Sequence, residues 1–178
     1  MSAQPTLHGP LVTLRDPEER DVDPLAAILV EPEVAVWWVG YTPERIREEF
    51  LAHPDTARVI EVDGLTAGAM FVLRGEDPEY PTTIMHIFLG TAFRGRRIGE
   101  EAVALAIRHE FSEGVTRVTL DPNINNEGAI RSYERLGFQR IGVLRDYQVR
   151  PEGHLEDALF MDLTRSDFPG GPPLPPRD

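Results

Sequence analysis

The feature that most constrains this chain is an arginine- and glycine-rich segment, residues 93–99, between two stretches of different hydrophobic period. Thr82–Leu89 is rich in strand-forming residues, whereas apolar residues in 96–111 recur at helical spacing. This pattern predicts a strand that passes through a short loop into a long helix. Loop glycines allow backbone N–H groups to approach an anion closely, and a helix N-terminus attracts negative charge. We therefore predict a phosphate-binding loop, with a plain strand-to-helix turn as the alternative.

Residue types that the chain lacks exclude several kinds of site. No G-x-G-x-x-G is present, so the segment is not a dinucleotide-binding fingerprint, and no lysine is present for a Walker loop. Cysteine is also absent, which excludes disulfides, thiolate metal ligands and a cysteine nucleophile on this chain. The five histidines do not show the spacing of a metal site, so we expect no metal.

Length and charge limit the organisation and the partners. A chain of 178 residues suits one domain, which we place at residues 1–168, followed by a proline- and glycine-rich tail at 169–178. The net charge of −12 argues against a nucleic-acid partner and favours a cationic one. No apolar run reaches the ~20 residues of a membrane helix and no secretory signal is visible. We therefore expect a cytoplasmic protein without a membrane partner.

The remaining patterns predict a mixed α/β sheet with elements in the order β-α-α-β-β-β-α-β-α-β-β. The predicted strands cover residues 12–14, 57–62, 66–73, 82–89, 116–120, 138–144 and 158–163. The predicted helices begin near residues 23, 42, 96 and 126. Proline and glycine signals mark several of these boundaries.

The arginine-glycine segment resembles motif A of the GNAT acetyltransferase superfamily, written R/Q-x-x-G-x-G/A. Arg94 matches the first position and Gly99 the last, while Arg97 stands where the middle glycine normally is. At this position we expect Arg97 either to point away at the start of the helix or to join the phosphate contacts.

A second motif lies on the following helix. Asn126, Ala129, Tyr133 and Gly137-Phe138 are similar to the family's pattern N-x-x-A-x-x-x-Y-x-x-x-G-F. The order of elements is also that of the family, so the resemblance covers roughly residues 11–168. It implies a single GNAT-like domain with acetyl-CoA as cofactor.

The resemblance also implies roles for individual residues. The expected cofactor-binding residues are Phe88, Leu89, Arg94, Gly95, Arg96, Arg97, Ile98, Gly99 and Asn126. By the same resemblance, Asn126 would hydrogen-bond the pantetheine arm. The sequence itself favours Asn126 as a helix N-cap, and the two roles can use different atoms.

The catalytic candidates are Tyr133 and His86. The resemblance places Tyr133 near the coenzyme sulfur as a general acid, with a core tyrosine as the alternative. Many family members carry a glutamate on the strand before motif A, but Thr82–Leu89 contains only His86 as an ionisable side chain. Histidine readily accepts a proton near neutral pH. Two alternatives stay open. His86 has only a structural role, or the amine loses its proton to bulk water without a protein base.

The acceptor is expected near Trp37 and Trp38 and near Asp121. Adjacent side chains diverge, so one tryptophan would lie in the core and the other could line a pocket or stack on a cation. The tryptophan pair and Asp121 resemble aminoglycoside 6'-N-acetyltransferases, in which the matching acidic residue binds sugar amines. Residues 153, 157, 161 and 163 resemble ribosomal-protein N-terminal acetyltransferases.

The leading hypothesis is direct transfer of acetyl from acetyl-CoA to a primary amine of a small cationic molecule, such as an aminoglycoside or a polyamine. The alternatives are a protein N-terminal acetyltransferase, a siderophore-type hydroxylysine acetyltransferase and a non-catalytic acyl-CoA-binding sensor. The acceptor is therefore a small-molecule or peptide amine. The sequence leaves open whether the chain forms a homodimer.

Overall fold

The computed structural model describes residues 4–169. Its strands are β1 (Leu7–His8), β2 (Thr13–Arg15), β3 (Ala57–Val62), β4 (Leu65–Arg74), β5 (Thr82–Leu89), β6 (Arg117–Leu120), β7 (Gln139–Val149) and β8 (Leu155–Thr164). Its helices are α1 (Val22–Leu29), α2 (Pro32–Ala35), α3 (Pro43–Ile46), α4 (Ile98–Ser112) and α5 (Glu127–Leu136). A π-helical turn, Arg47–Leu51, continues α3, and 3-10 turns precede α1 and follow β5.

The strands form one eight-stranded mixed sheet in the order β1-β2-β3-β4-β5-β6-β8-β7. Strands β5 and β6 are parallel, whereas β1–β2, β2–β3, β3–β4, β6–β8 and β7–β8 are antiparallel. The expected mixed α/β fold class is confirmed. None of the helices within residues 4–169 is long and apolar enough to cross a membrane.

The chain divides into two compact units. The first is built from residues up to Val72 together with His86–Ala106. Its core joins α1, α3 and the sheet through buried apolar side chains, among them Leu25, Val34, Ile46, Phe50, Val59, Ala69 and Phe88. A buried ion pair lies beside this core, where two nitrogens of the Arg15 guanidinium each donate to one oxygen of Asp21 at 2.8 Å.

The second unit is built from Leu73–Met85 and from the residues from Ile107 onward. Its buried apolar residues come from the end of α4, from β6, from α5 and from β8; they include Ile107, Phe111, Val118, Ile130, Met161 and Leu163. Buried Glu110 accepts two hydrogen bonds from Arg74, at 2.7 and 2.8 Å, and one from Thr83 at 2.8 Å. This arrangement satisfies a carboxylate that would otherwise be costly to bury.

Several predicted boundaries need correction. The chain forms an additional strand, β1, and an additional short helix, α2. Helix α4 begins at Ile98 instead of residue 96, because Gly95 and Arg97 have φ angles of +71° and +61°, which a right-handed helix excludes. Strands β7 and β8 are both longer than predicted. The proposed 1–168 domain and its tail stay predictions, and residues 170–178 lie outside the described residues.

Candidate active site

The loop between β5 and α4 is held open by its backbone conformation. Gly90 N donates to Ala67 O at 2.9 Å where the loop leaves the sheet. Gly95 has a φ of +71°, and a Cβ built at this position meets no atom within 4 Å. Its backbone therefore faces open space. At Gly99 a Cβ would lie 3.1 Å from Leu89 Cδ1, so the first turn of α4 packs closely on the end of β5.

Arg97 lies at the position where the resemblance places a glycine, and it keeps a glycine-like backbone. Its φ is +61°, in the left-handed region that disfavours residues with a Cβ. Its side chain is 78% exposed and its Nε lies 3.4 Å from Glu100 Oε2 in the first turn of α4. The guanidinium therefore points away from the loop backbone toward solvent.

The same loop is tied to the segment between α1 and α2. Thr91 donates to the Glu31 carboxylate through its backbone N and its Oγ1, at 2.7 and 2.8 Å. Arg94 donates to the carbonyl oxygens of Leu89 and Glu33, both at 3.3 Å. Both acceptors of Arg94 are neutral, so these bonds fix the side chain without neutralising its charge.

Arg94 and Arg96 are exposed. With Arg97 paired to Glu100, the loop presents two cationic side chains beside the N-terminus of a 15-residue helix. Exposed cations, an open glycine backbone and a helix N-terminus together suit a multiply charged phosphate ligand. Ile98, the first residue of this helix, is only 2% exposed, so it anchors the loop in the core and adds nothing to this exposed surface.

The two tryptophans differ in packing, as adjacent residues in this segment were expected to. The Trp38 ring lies 4.8 Å from the Phe88 ring and 6.1 Å from the Phe71 ring, and it packs against the core of the first unit. Trp37 is half-buried, and among residues 4–169 it makes no ring contact. Phe88 is 4% exposed and belongs to this core.

His86 lies on β5 and is half-buried. Since side chains two residues apart share a face of a strand, His86 is on the same face of β5 as Phe88. The first unit thus contains His86, both tryptophans and the whole arginine-glycine loop.

The other predicted site residues lie in the second unit. Asp121 directly follows β6, and Asn126 caps α5 by accepting a hydrogen bond from Ala129 N at 3.2 Å. Tyr133 is 9% exposed on the same helix, and its ring centroid lies 6.0 Å from that of Phe138. Asn126 therefore performs the N-cap role that its residue type favours.

Burial raises the pKa of the Tyr133 phenol, and the negative charge of Asp121 raises it further. The phenol is consequently protonated throughout the physiological range, which is the form that a proton donor needs. A buried phenol and a carboxylate close enough to influence it thus occupy one part of the second unit.

Sequence reasoning missed Tyr147, on β7. Its Oη donates to Asp121 Oδ2 at 2.5 Å, and this bond, followed by burial and the charge of Asp121, raises the pKa of Tyr147 to about 12. The predicted strand ended at residue 144, and nothing in the local pattern of exposed residues indicated that Tyr147 would reach Asp121. Within residues 4–169 no group of three His, Asp or Glu side chains could hold a metal ion.

The loop before α4 and the motif on α5 define an acetyltransferase class of protein. The model of the acetyltransferase (GNAT) family matches residues 23–138, which is more than half of the chain. The chain therefore belongs to the GNAT family of acetyltransferases, and acetyl-CoA is the acetyl donor of that family.

Curated relatives include proteins with different acceptors. The [ribosomal protein bS18]-alanine N-acetyltransferase of Salmonella typhimurium is 32% identical over 84 residues, which cover 47% of this chain and 56% of that protein. A kanamycin resistance protein of Rhizobium radiobacter is 33% identical over 75 residues, covering 42% of this chain and 63% of that protein. In neither alignment does the chain span two thirds of the relative's length.

Solved structures match over almost the whole chain. A T. thermophilus protein assigned as an acetyltransferase is 28% identical, with a TM-score of 0.81 and coverage of 96% of this chain and 95% of that one. Mycobacterium smegmatis RimJ, in complex with CoA-disulfide, is 19% identical, with a TM-score of 0.78 and coverage of 94% and 90%. The second likeness shows that the fold is shared.

Proposed function

We propose that this chain transfers an acetyl group from acetyl-CoA directly to a primary amine of a small cationic molecule. The observation that carries the proposal is the open, cationic loop at the start of α4. The buried phenol of Tyr133 on α5 and the Asp121 carboxylate after β6 supply the two groups that the reaction needs. A carboxylate can bind an ammonium group, and a protonated phenol can supply a proton.

The loop before α4 would hold the cofactor. Its backbone N–H groups from Gly95 to Gly99 would bind the phosphates, assisted by the exposed guanidinium groups of Arg94 and Arg96. Acetyl-CoA, when bound, supplies an acetyl group on a thioester. The open face at Gly95 and the start of a 15-residue helix support this assignment.

Tyr133 would hold a proton on Oη for the departing sulfur, since its raised pKa keeps the phenol protonated. No cysteine is present to carry an acetyl group, so the proposed transfer takes place without an acetyl-cysteine on this chain. His86 on β5 is the proposed base, and release of the amine proton to water is the alternative route.

The first test is a thiol-release assay with acetyl-CoA and three acceptors: kanamycin, spermidine and a peptide with an N-terminal alanine. We expect release with kanamycin or spermidine, and we expect Tyr133→Phe to lower kcat by about 100-fold or more because a general acid is lost. Tyr80→Phe is the matched control, because Tyr80 is 66% exposed. Unchanged kinetics in Tyr133→Phe would remove the acid role, and absence of thiol release with every acceptor would refute acetyl transfer.

A second candidate is acetylation of protein N-termini. It is supported by the similarity to the [ribosomal protein bS18]-alanine N-acetyltransferase, whereas the similarity to the kanamycin resistance protein supports a small cationic acceptor. The peptide arm of the assay separates the two, since release with the peptide alone would favour the second candidate. Tight binding of CoA without any thiol release would instead indicate a non-catalytic sensor.

A further inference from the structure

Strand β7 contains a bulge near its middle. Leu144 pairs with Ala158 and Gln148 pairs with Glu156, so the three residues 145–147 lie opposite Asp157 alone. Bulges bend a strand and redirect its side chains, and they occur often beside functional sites. Tyr147 is one of the residues in this bulge.

The bulge is held in place by a specific contact. Asp146 has a φ of +52°, a left-handed conformation that costs energy for a residue with a Cβ but that aspartate tolerates better than most. Its backbone N donates to Asp157 Oδ1 at 2.9 Å. A strained backbone of this kind persists only where its surroundings fix it, and here the Asp157 carboxylate does so.

The segment after Asp121 is fixed against the same part of β8. Ile124 N donates to Asp157 O at 3.1 Å, and Leu159 N donates to Pro122 O at 2.8 Å. Asp157 therefore supports the bulge through its side chain and the segment after Asp121 through its backbone. The positions of Tyr147 and Asp121 are both set by this one stretch of β8.

This arrangement brings Tyr147 close to Asp121. Tyr147 Oη donates a hydrogen bond to Asp121 Oδ2 at 2.5 Å. Tyr147 is 51% exposed and Asp121 is half-buried, so a solute can reach the pair. A carboxylate offers about four lone-pair positions, and a phenol donor uses one of them. The bond from Tyr147 therefore orients the carboxylate through one oxygen, Oδ2.

We propose that Tyr147 is a positioning residue of the acceptor site, which holds the Asp121 carboxylate in the orientation that binds an ammonium group of the acceptor. Without the phenol, the carboxylate would lose rotational freedom on binding the cation, which weakens binding. This inference rests on the proposed function, because it assumes that the bound cation is part of the acetyl acceptor.

Spermidine is the probe, and its binding is measured by calorimetry without acetyl-CoA for wild type, Tyr147→Phe, Asp121→Asn and the double variant. Tyr147→Phe keeps the ring and removes only the hydroxyl. We expect it to weaken spermidine binding about tenfold, and we expect Asp121→Asn to weaken binding at least as much. The double variant should bind no more weakly than Asp121→Asn, because the phenol acts through the carboxylate. Tyr80→Phe, the control, should bind as wild type does.

A kinetic readout accompanies the binding data. With the acceptor found in the thiol-release assay, Tyr147→Phe should raise KM for the amine and leave KM for acetyl-CoA unchanged, which a general loss of folding would not do. Wild-type affinity in Tyr147→Phe, additive effects in the double variant, or no spermidine binding by wild type would each overturn the inference. If spermidine binding depends on Tyr147 but no amine is acetylated, the role of Tyr147 is upheld and the proposed function is refuted.

Discussion

Arg97 combines a backbone conformation suited to glycine with a side chain that pairs with the first turn of α4. The left-handed conformation costs about 1–2 kcal/mol for a residue with a Cβ. The ion pair between Arg97 and Glu100 offsets at most about 1 kcal/mol of this conformational cost. The loop therefore keeps a glycine-like backbone at Arg97 at the expense of some local stability.

The first prediction concerns this cost. Arg97→Gly removes the steric strain, whereas Arg96→Gly, at a residue outside the left-handed region, only adds backbone entropy to the unfolded chain. We expect Arg97→Gly to be more stable than Arg96→Gly by about 1 kcal/mol in urea unfolding. Equal stabilities of the two variants would show that the backbone at Arg97 is unstrained.

A second prediction concerns Asp21, which is 0% exposed. Burial raises its pKa, but hydrogen bonds from Arg15, Thr66 and the Glu18 backbone outweigh burial, so the net pKa is lowered. A lowered folded-state pKa adds stability above the unfolded pKa of about 4. That contribution is lost as the pH falls through the folded-state value.

Unfolding free energies measured between neutral and acid pH test this prediction. Asp21→Asn should cost about 3 kcal/mol at neutral pH, because buried Arg15 loses its ion pair with Asp21. Arg15 keeps Glu61 at 2.7 Å and Glu18 at 3.9 Å as ion-pair partners. The variant should also lose less stability than wild type on acidification. The control, Asp55→Asn at an exposed site, should stay within about 0.5 kcal/mol of wild type. Parallel pH curves for wild type and Asp21→Asn would contradict the account.

At the scale of elements, the close approach of β4 and β5 sets the position from which the arginine-glycine loop departs. A Cβ at Gly68 would lie 2.2 Å from the Phe88 carbonyl oxygen and 3.0 Å from Leu89 Cα. Both atoms belong to the backbone, which cannot move aside as a flexible side chain can. Gly68 is therefore required by the pairing of these strands.

Gly68→Ala should accordingly destabilise the protein by about 1–3 kcal/mol or more through overpacking. Gly142→Ala on β7 is the matched control, because a Cβ there meets no atom within 4 Å. Alanine is also favoured over glycine within a strand, so this control should be neutral or slightly stabilising. Similar urea midpoints for Gly68→Ala and wild type would show that β4 and β5 tolerate a wider spacing.

Elements with a clear run of buried residues were predictable, and elements without one were not. β3 and β5 were predicted with their observed bounds because their buried residues form continuous or alternating runs. Residues 145–149 were missed because β7 is an edge strand with almost every residue exposed, and its bulge interrupts any alternation. The loop glycines and arginines were predicted from a motif, and their role stays a prediction, whereas no motif or pattern pointed to Tyr147.

At the scale of the whole molecule, the order of elements and two spaced motifs were enough to predict the family, which the match to residues 23–138 confirms. The proposed acceptor site depends on features that no motif encodes, such as the register of β7 against β8. The net charge of −12 is consistent with attraction of a cationic acceptor over distances of about one Debye length.

Acetyl transfer to an amine is tested most directly by detecting the acetylated product. Wild-type protein is incubated with acetyl-CoA and the amine that gives the strongest thiol release, and the amine is analysed by mass spectrometry while free CoA is quantified in the same sample. We expect one acetylated amine for each CoA released, with both lost together in Tyr133→Phe. Release of CoA without acetylated amine would reveal thioester hydrolysis alone and would contradict the claim.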